Sequence, residues 1–307
     1  MQRFPTILLS LILIILSPMC LAADDNAETK PTTAEAIQAD QNIMIRQMTL
    51  ITGYQPLSVA GQEVDATFLE ETLGEVHGAI VLLHDQGEDL ESRGVITPLR
   101  HEMLQYGWST LSLMLDYPFT PNILLAIDPE AVVTNTDDAA SIKESVSTTD
   151  TAEDAIDETQ KESSVALPPI SNQQRIEAAV ALLVAKGIKR IVFIGHGKGG
   201  EIAINALASL TTPISALMLV GTGDLESDDV FKTFNQPIFD VYGDQDLEGV
   251  SAAVKARKVV MKRSGNIRYT SREIIGANHV FYGLEPMLIA SVRGWLHATF
   301  VKQEASE

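Results

Sequence analysis

From Gly78 onward, short apolar runs alternate with stretches of helical spacing, and this alternation constrains the fold more than any other feature of the chain. The apolar runs are Gly78 to His84, Trp108 to Leu115, Arg190 to Ile194, Ile214 to Val220, Pro237 to Tyr242 and Ile267 to Ile274. Between and after them lie predicted helices at Pro98 to Tyr106, Ser171 to Lys186, Glu201 to Leu210, Ala252 to Arg263 and Pro286 to Thr299. Continuous apolar strands separated by helices predict an α/β domain whose mostly parallel sheet is covered on both faces. Leu57 to Val59 and Val64 to Glu70, around Gly61, add an N-terminal β-hairpin. Ligands of such sheets bind outside the carboxyl ends of the strands, so residues that directly follow a strand are the candidates for chemistry.

The ends of the chain read differently. Arg3, the apolar stretch Ile7 to Leu16, then Pro18 and Leu21-Ala22-Ala23 have the grammar of a cleavable signal peptide over residues 1–22. Its apolar core is too short for a membrane span, which needs about 20 residues. Cleavage after Ala22 or Ala23 predicts a periplasmic protein, or a secreted one, with no stable membrane span afterwards. The single cysteine, Cys20, lies inside the leader, and Ser17-Pro18-Met19 before it fit an acylation site poorly. The mature chain therefore has no disulfide, thiolate nucleophile or cysteine-ligated metal. An N-terminal segment at 23–52 precedes the domain at 53–301, and a tail at 302–307 follows it. The formal charge of −19 argues against nucleic acid as a partner. Much of that charge is local: Ile127 to Val165 holds eleven Asp or Glu, two Lys and no aromatic residue. That composition predicts a disordered acidic insertion over 127–167. Loop closure makes it tolerable, since a fivefold longer loop costs only about 1.4 kcal/mol more.

Four groups follow strands. Gly195-His196-Gly197-Lys198-Gly199 stands between a strand and a helix, where a G-x-S-x-G nucleophile elbow holds its serine in a strained conformation. Here the central residue is Gly197, so the turn is kept and the reactive oxygen is absent. Gly243-Asp244-Gln245-Asp246 offers an acid, Asp246 before Asp244, to orient a histidine. Gly276-Ala277-Asn278-His279 places the base, His279, between the last strand and the last helix. His84-Asp85-Gln86-Gly87 follows the first long strand, where Asp85 or Gln86 would give one backbone N–H to an oxyanion hole and Lys198 the other.

Elbow, acid and base come in the chain order of the α/β-hydrolase superfamily. From about Pro56 to Leu296, the acidic insertion aside, the chain resembles the uncharacterised secreted α/β-hydrolase-like family of Gram-negative bacteria, a domain of unknown function. The stretches that carry the likeness are His84 through Gly107-Trp108-Ser109, Gly195-His196-Gly197, and Gly276-Ala277-Asn278-His279 leading into Arg293-Gly294-Trp295-Leu296. The resemblance implies the fold and an envelope location, and no substrate.

The expected function is that of an exported pseudohydrolase that binds a small molecule, peptide or envelope partner through His84, Asp85, Gln86, His196, Gly197 and Lys198. The alternative is a hydrolase or lyase in which a residual dyad, His279 and Asp246, works on water without a serine ester. Gly195, Gly197 and Gly200 also spell G-x-G-x-x-G, with Asp224 after the next strand, which keeps a dinucleotide-binding alternative open. Against it, such a fingerprint opens its domain, whereas strands precede this one. A metal held by His84, His196, His279 and Asp85 lacks any short ligand spacing, so neither metal nor cofactor is expected.

Overall fold

A computed structural model describes residues 51–118, 168–227 and 229–302. The signal segment, the acidic insertion, nearly all of the N-terminal segment and all but the first residue of the tail lie outside the described residues. The described chain gives β1 (Leu57–Val59), β2 (Gln62–Val64), β3 (Ala66–Leu69), β4 (Gly78–Leu83), α1 (Ile96–Glu102) and β5 (Trp108–Leu113). There follow α2 (Asn172–Ala185), β6 (Ile191–His196), α3 (Lys198–Leu207), β7 (Ala216–Val220), α4 (Asp229–Thr233), β8 (Ile238–Gln245), α5 (Val250–Ser264), β9 (Tyr269–Asn278) and α6 (Glu285–Leu296).

Strands β3 to β9 form one sheet in the order β3-β5-β4-β6-β7-β8-β9. Only β3 runs antiparallel, against β5; the other pairs are parallel. Side chains alternate between the two faces as the strand period requires. Val81, Leu83, Phe193 and Leu217 pack with α2 and α3, while Ile80, Leu82, Val192, Ile194 and Met218 pack with α1 and α6. Every residue of β4 is buried, and so is every residue of β6 and β7, which is why these strands read as unbroken apolar runs.

The predicted hairpin exists, with a shorter second arm. β1 and β2 pair as a separate two-stranded sheet across Ala60 and Gly61, whose φ values of 49° and 79° are those of a tight two-residue turn. The chain then leaves that sheet at Asp65, and β3 joins β5 instead. Helix α2 starts at the predicted capping box: Gln174 N–H donates to the Ser171 hydroxyl, and the Gln174 side chain accepts from the Ser171 N–H. Helix α3 begins at Lys198, earlier than its glycines suggest. A Cβ at Gly199 would lie 2.2 Å from the Leu83 carbonyl oxygen and one at Gly195 2.4 Å from the Gly200 Cα, so close packing onto β4 and β6 overrides low helix propensity.

The last two strands place the site. β8 and β9 run on past their paired core to a register irregularity between Gly243 and Gln245, where Gln245 faces Asn278. Asp246 and His279, each one residue further on, therefore emerge side by side at the carboxyl edge of the sheet.

Candidate active site

Gly197 caps α3 with φ 50° and ψ −118°, a conformation that side-chain-bearing residues adopt only under strain. Its N–H donates to the Val220 carbonyl at 2.9 Å, fixing the turn over β7. The elbow geometry expected from the sequence is thus present, without a hydroxyl. The space a serine would use is occupied: a Cβ at Gly197 would fall 2.3 Å from the Asp85 carboxylate carbon.

Asp85 is the centre of the arrangement. Its Oδ1 accepts the Lys198 N–H at 2.6 Å, and its Oδ2 accepts from His279 Nε2 at 3.0 Å. Burial would raise this carboxyl; the bonds from His279 and from the backbone N–H groups of Lys198 and Gln86 outweigh it and hold Asp85 below the ordinary carboxylate range. Both backbone donors expected to serve an oxyanion hole are therefore directed at a resident carboxylate. The Asp85 N–H is itself engaged, donating to Glu88 Oε2 at 2.9 Å.

His279 sits between two acids. Its Nδ1 donates to Asp246 Oδ1 at 2.6 Å, the acid that sequence order had put ahead of Asp244. Asp244 instead accepts the Gly276 N–H at 2.6 Å and braces the end of β9. Burial alone would lower the His279 pKa, but its bonds to Asp246 and Asp85 prevail and raise it to about 9. Asp246 is held low despite burial by His279 and by the Gly243 and Leu247 N–H groups. The folded value of about 9 lies above the ordinary imidazole value of about 6.5, so the imidazolium stabilises the fold fully below pH ~6.5. That contribution is lost as pH rises through about 9. An NMR titration should accordingly place the His279 midpoint near 9, with the melting temperature drifting down between about 6.5 and 9; a midpoint at or below 6.5 would show that the carboxylates do not hold it.

Asp85, Gln86, Gly197, Lys198, Asp224 and His279 line an open cleft of about 790 Å³ at the carboxyl ends of the strands. Two expected binding residues do not face it. His84 is buried: its Nδ1 donates to the Asp85 carbonyl at 2.7 Å, and its Nε2 accepts the Leu115 N–H at 3.0 Å. Burial is the main cause of its lowered pKa. His196 is also buried, between Glu88 Oε2 at 2.8 Å and the His279 carbonyl at 2.9 Å, with its ring stacked on His279 at 4.6 Å. These two histidines brace the site from behind, because neither ring nitrogen of either one is left to a ligand.

The same contacts bear on the metal and dinucleotide readings. Both nitrogens of His84, His196 and His279 have protein partners, and among the described residues no group of three His, Cys, Asp or Glu could hold a metal ion. The α3 N-terminus, where a pyrophosphate would rest on backbone N–H groups, already carries the Asp85 carboxylate.

Sequence reasoning missed Glu88 and Tyr117. Glu88 ties the Asp85 loop to His196; its place three residues after Asp85 in a polar loop is a local turn signal. Tyr117 lines the cleft while its hydroxyl donates to the His84 carbonyl, and nothing in its surroundings, Asp116-Tyr117-Pro118, distinguishes it in sequence.

Among solved structures, Est1E from Butyrivibrio proteoclasticus matches with a TM-score of 0.54 at 13% identity, covering 81% of this chain and 100% of that one. A serine hydrolase without a lid from Xanthomonas campestris matches with a TM-score of 0.52 at 13% identity, over 81% of this chain and 94% of that one. An esterase from Pyrococcus furiosus matches with 0.54 at 12% identity, over 83% and 94%. At these identities the likeness shows the fold: a mostly parallel sheet with helices on both faces, the α/β-hydrolase architecture. No curated protein matches the chain in sequence. The family described as protein of unknown function (DUF3530) matches residues 4–298, so this chain, whose fold is that of an α/β-hydrolase, belongs to that family.

Proposed function

We propose that this chain is an exported pseudohydrolase whose cleft binds a small molecule and performs no serine-ester chemistry. The observation that carries this reading is the Asp85 carboxylate, which stands where the Cβ of a residue at position 197 would be and holds both the base and the Lys198 N–H. An acyl substrate would meet no nucleophilic oxygen at Gly197 and no free oxyanion donor. Attack by water through the His279–Asp246 dyad alone is disfavoured as well. At neutral pH the imidazole is protonated and its Nε2 is engaged by Asp85, so it is not an available base.

The cleft's carboxylates, Asp85, Glu201, Asp224 and Glu248, outnumber its cations, Lys198 and His279. Lys198 Nζ is moreover paired with Glu201 at 2.9 Å. Such a lining favours uncharged or cationic ligands over anions. Export rests on the leader grammar of residues 1–22, and N-terminal sequencing of protein from a periplasmic fraction should begin at Ala23 or Asp24.

The functional test is turnover of short-chain aryl esters. The native protein should be no faster than its His279→Ala variant, and hydrolysis that vanishes with that substitution would overturn the pseudohydrolase reading.

A further inference from the structure

Away from the cleft, one stretch reverses the acidic balance of the chain. Residues 250–268 hold six of the 22 Lys and Arg and none of the 41 Asp and Glu. Arg257 is the buried member, facing Asp240 from the apolar stripe of α5. The other five, Lys255, Lys258, Lys262, Arg263 and Arg268, are exposed, and none forms an ion pair among the described residues. On α5 the exposed cations fall at i, i+3, i+7 and i+8, on the side opposite Val250, Ala253, Val254 and Met261. The helix dipole accounts for Lys262 and Arg263 in the last turn, but not for Lys255, Lys258 or Arg268. Lys189 extends the face: it shares with Arg268 a hollow of about 640 Å³ at the amino edge of the sheet, and no carboxylate lines it.

Apolar side chains protrude from the same face. Val259, 47% exposed, stands between Lys255 and Lys262 on that side of the helix, and Ile267, 93% exposed, lies in the loop between α5 and β9. The loop is held in place. Gly265 closes α5 at φ 79°, and the Asn266 amide donates to the Phe234 and Gln236 carbonyls at 3.1 and 3.3 Å. Ile267 is therefore presented to solvent beside Lys262 and Arg268.

We infer that this face docks on an anionic bilayer surface, the cations meeting lipid phosphates while Ile267 and Val259 enter the headgroup layer. Aliphatic residues exposed singly need no explanation; set among unpaired cations on one helix face, they have the composition of a membrane-surface site. A basic amphipathic helix can also fill a groove on a protein, but that mode needs its apolar face free, and the apolar face of α5 is buried in this fold. The chain's charge of −19 does not oppose docking, because exposed charges further apart than a Debye length of about 8 Å are largely screened at physiological salt. No helix among the described residues is long and apolar enough to cross a membrane, so the contact is peripheral. The cleft lies at the carboxyl ends of the strands and stays open to water when the amino edge is docked. The inference does not depend on whether that cleft binds or catalyses.

The test is co-sedimentation of the mature protein with vesicles of phosphatidylcholine, alone or mixed equally with phosphatidylglycerol, at about 0.1 M salt. The protein should pellet with the mixed vesicles only. Each cation near such a surface is worth about fivefold in partition, so Lys258→Gln with Arg268→Gln should weaken binding about 30-fold. Ile267→Ser should weaken it at least about tenfold. Arg93→Gln, which removes an exposed cation from the loop after β4, should leave it unchanged. All these side chains are exposed, so unchanged melting temperatures would separate lost binding from lost folding. Equal pelleting with both vesicle types, or none with either, would overturn the proposal, as would full binding by the Lys258→Gln, Arg268→Gln protein or an equal loss in Arg93→Gln. Release by millimolar glycerol phosphate at constant ionic strength would mark a headgroup pocket and overturn the surface reading. Absence of vesicle binding, with carbodiimide coupling Lys258 or Lys262 to a carboxyl of residues 127–165, would show the chain's own acidic insertion as the occupant instead.

Discussion

Gly197→Ser alone should give a less stable protein that is still inert towards aryl esters, whereas Gly197→Ser combined with Asp85→Gly should hydrolyse them. In the single variant the new Cβ meets the Asp85 carboxylate at 2.3 Å, and that carboxylate is held by Lys198 N–H and His279 and cannot swing aside freely. Backbone strain at φ 50° adds about 1–3 kcal/mol. For a domain of this size, each kcal/mol lowers the melting temperature by about 2–4 °C, so a fall of several degrees is expected. Removing the Asp85 side chain changes three things together. It opens the space for a serine hydroxyl, it frees the Lys198 N–H for an oxyanion, and it leaves His279 with Asp246 as its sole carboxylate partner. The imidazole pKa then falls and a base becomes available near neutral pH. A complete triad is worth roughly 10⁶-fold in an optimised enzyme, and a misplacement of about 1 Å costs about 10²-fold. A gain of at least about 10³-fold in kcat/KM over the native protein is the conservative expectation for the double variant. If the single variant gained as much as the double one, Asp85 would not be the block.

The fold was legible because its signals are local and repeated: six apolar runs, a capping box at Ser171, and chemistry-bearing residues directly after strands. The positions of Gly197, Asp246 and His279 followed from chain order alone. What sequence could not supply was the contact between Asp85 and Gly197. The two are far apart in the chain, and the contact arises because β4 and β6 are adjacent and in register, with Leu83 facing Gly195. That pairing turns an expected oxyanion-loop residue into the occupant of the hole. The same lack of register information made His84 and His196 look like ligand-binding residues. Each ends or follows a strand, as functional groups do, but strand parity and the packing behind the site decide whether such a ring faces the cleft or the interior.

The largest stability effect is expected at Arg257, which a stricter reading of the helix would have found. Arg257 falls on the buried stripe of α5 with Val250, Ala253, Val254 and Met261, and Asp240 stands inside the apolar strand β8. A charge on each of two apolar faces is informative in a way that an exposed leucine is not. In the structure Arg257 Nε donates to Asp240 Oδ2 at 2.7 Å and Nη2 to Oδ1 at 3.1 Å. The same guanidinium donates to the Thr222 and Gly223 carbonyls, each at 2.7 Å, and the Tyr269 hydroxyl donates to Asp240 at 2.9 Å. Arg257→Ala would leave Asp240 buried without its counter-ion, at a cost of about 3–5 kcal/mol, or about 6–20 °C in melting temperature. Adding Asp240→Leu should recover much of that loss, because a buried pair replaced by apolar groups is often near neutral. Recovery should stop short of full, since the Thr222 and Gly223 carbonyls remain without their donor. Those two residues wall the cleft, and Gly221 before them packs so close to His279 that a Cβ there would lie 2.9 Å from its Nδ1. The double variant should therefore fold with a shifted His279 titration, whereas an Arg257→Ala protein as stable as the native one would show that the β7 loop is held by other contacts.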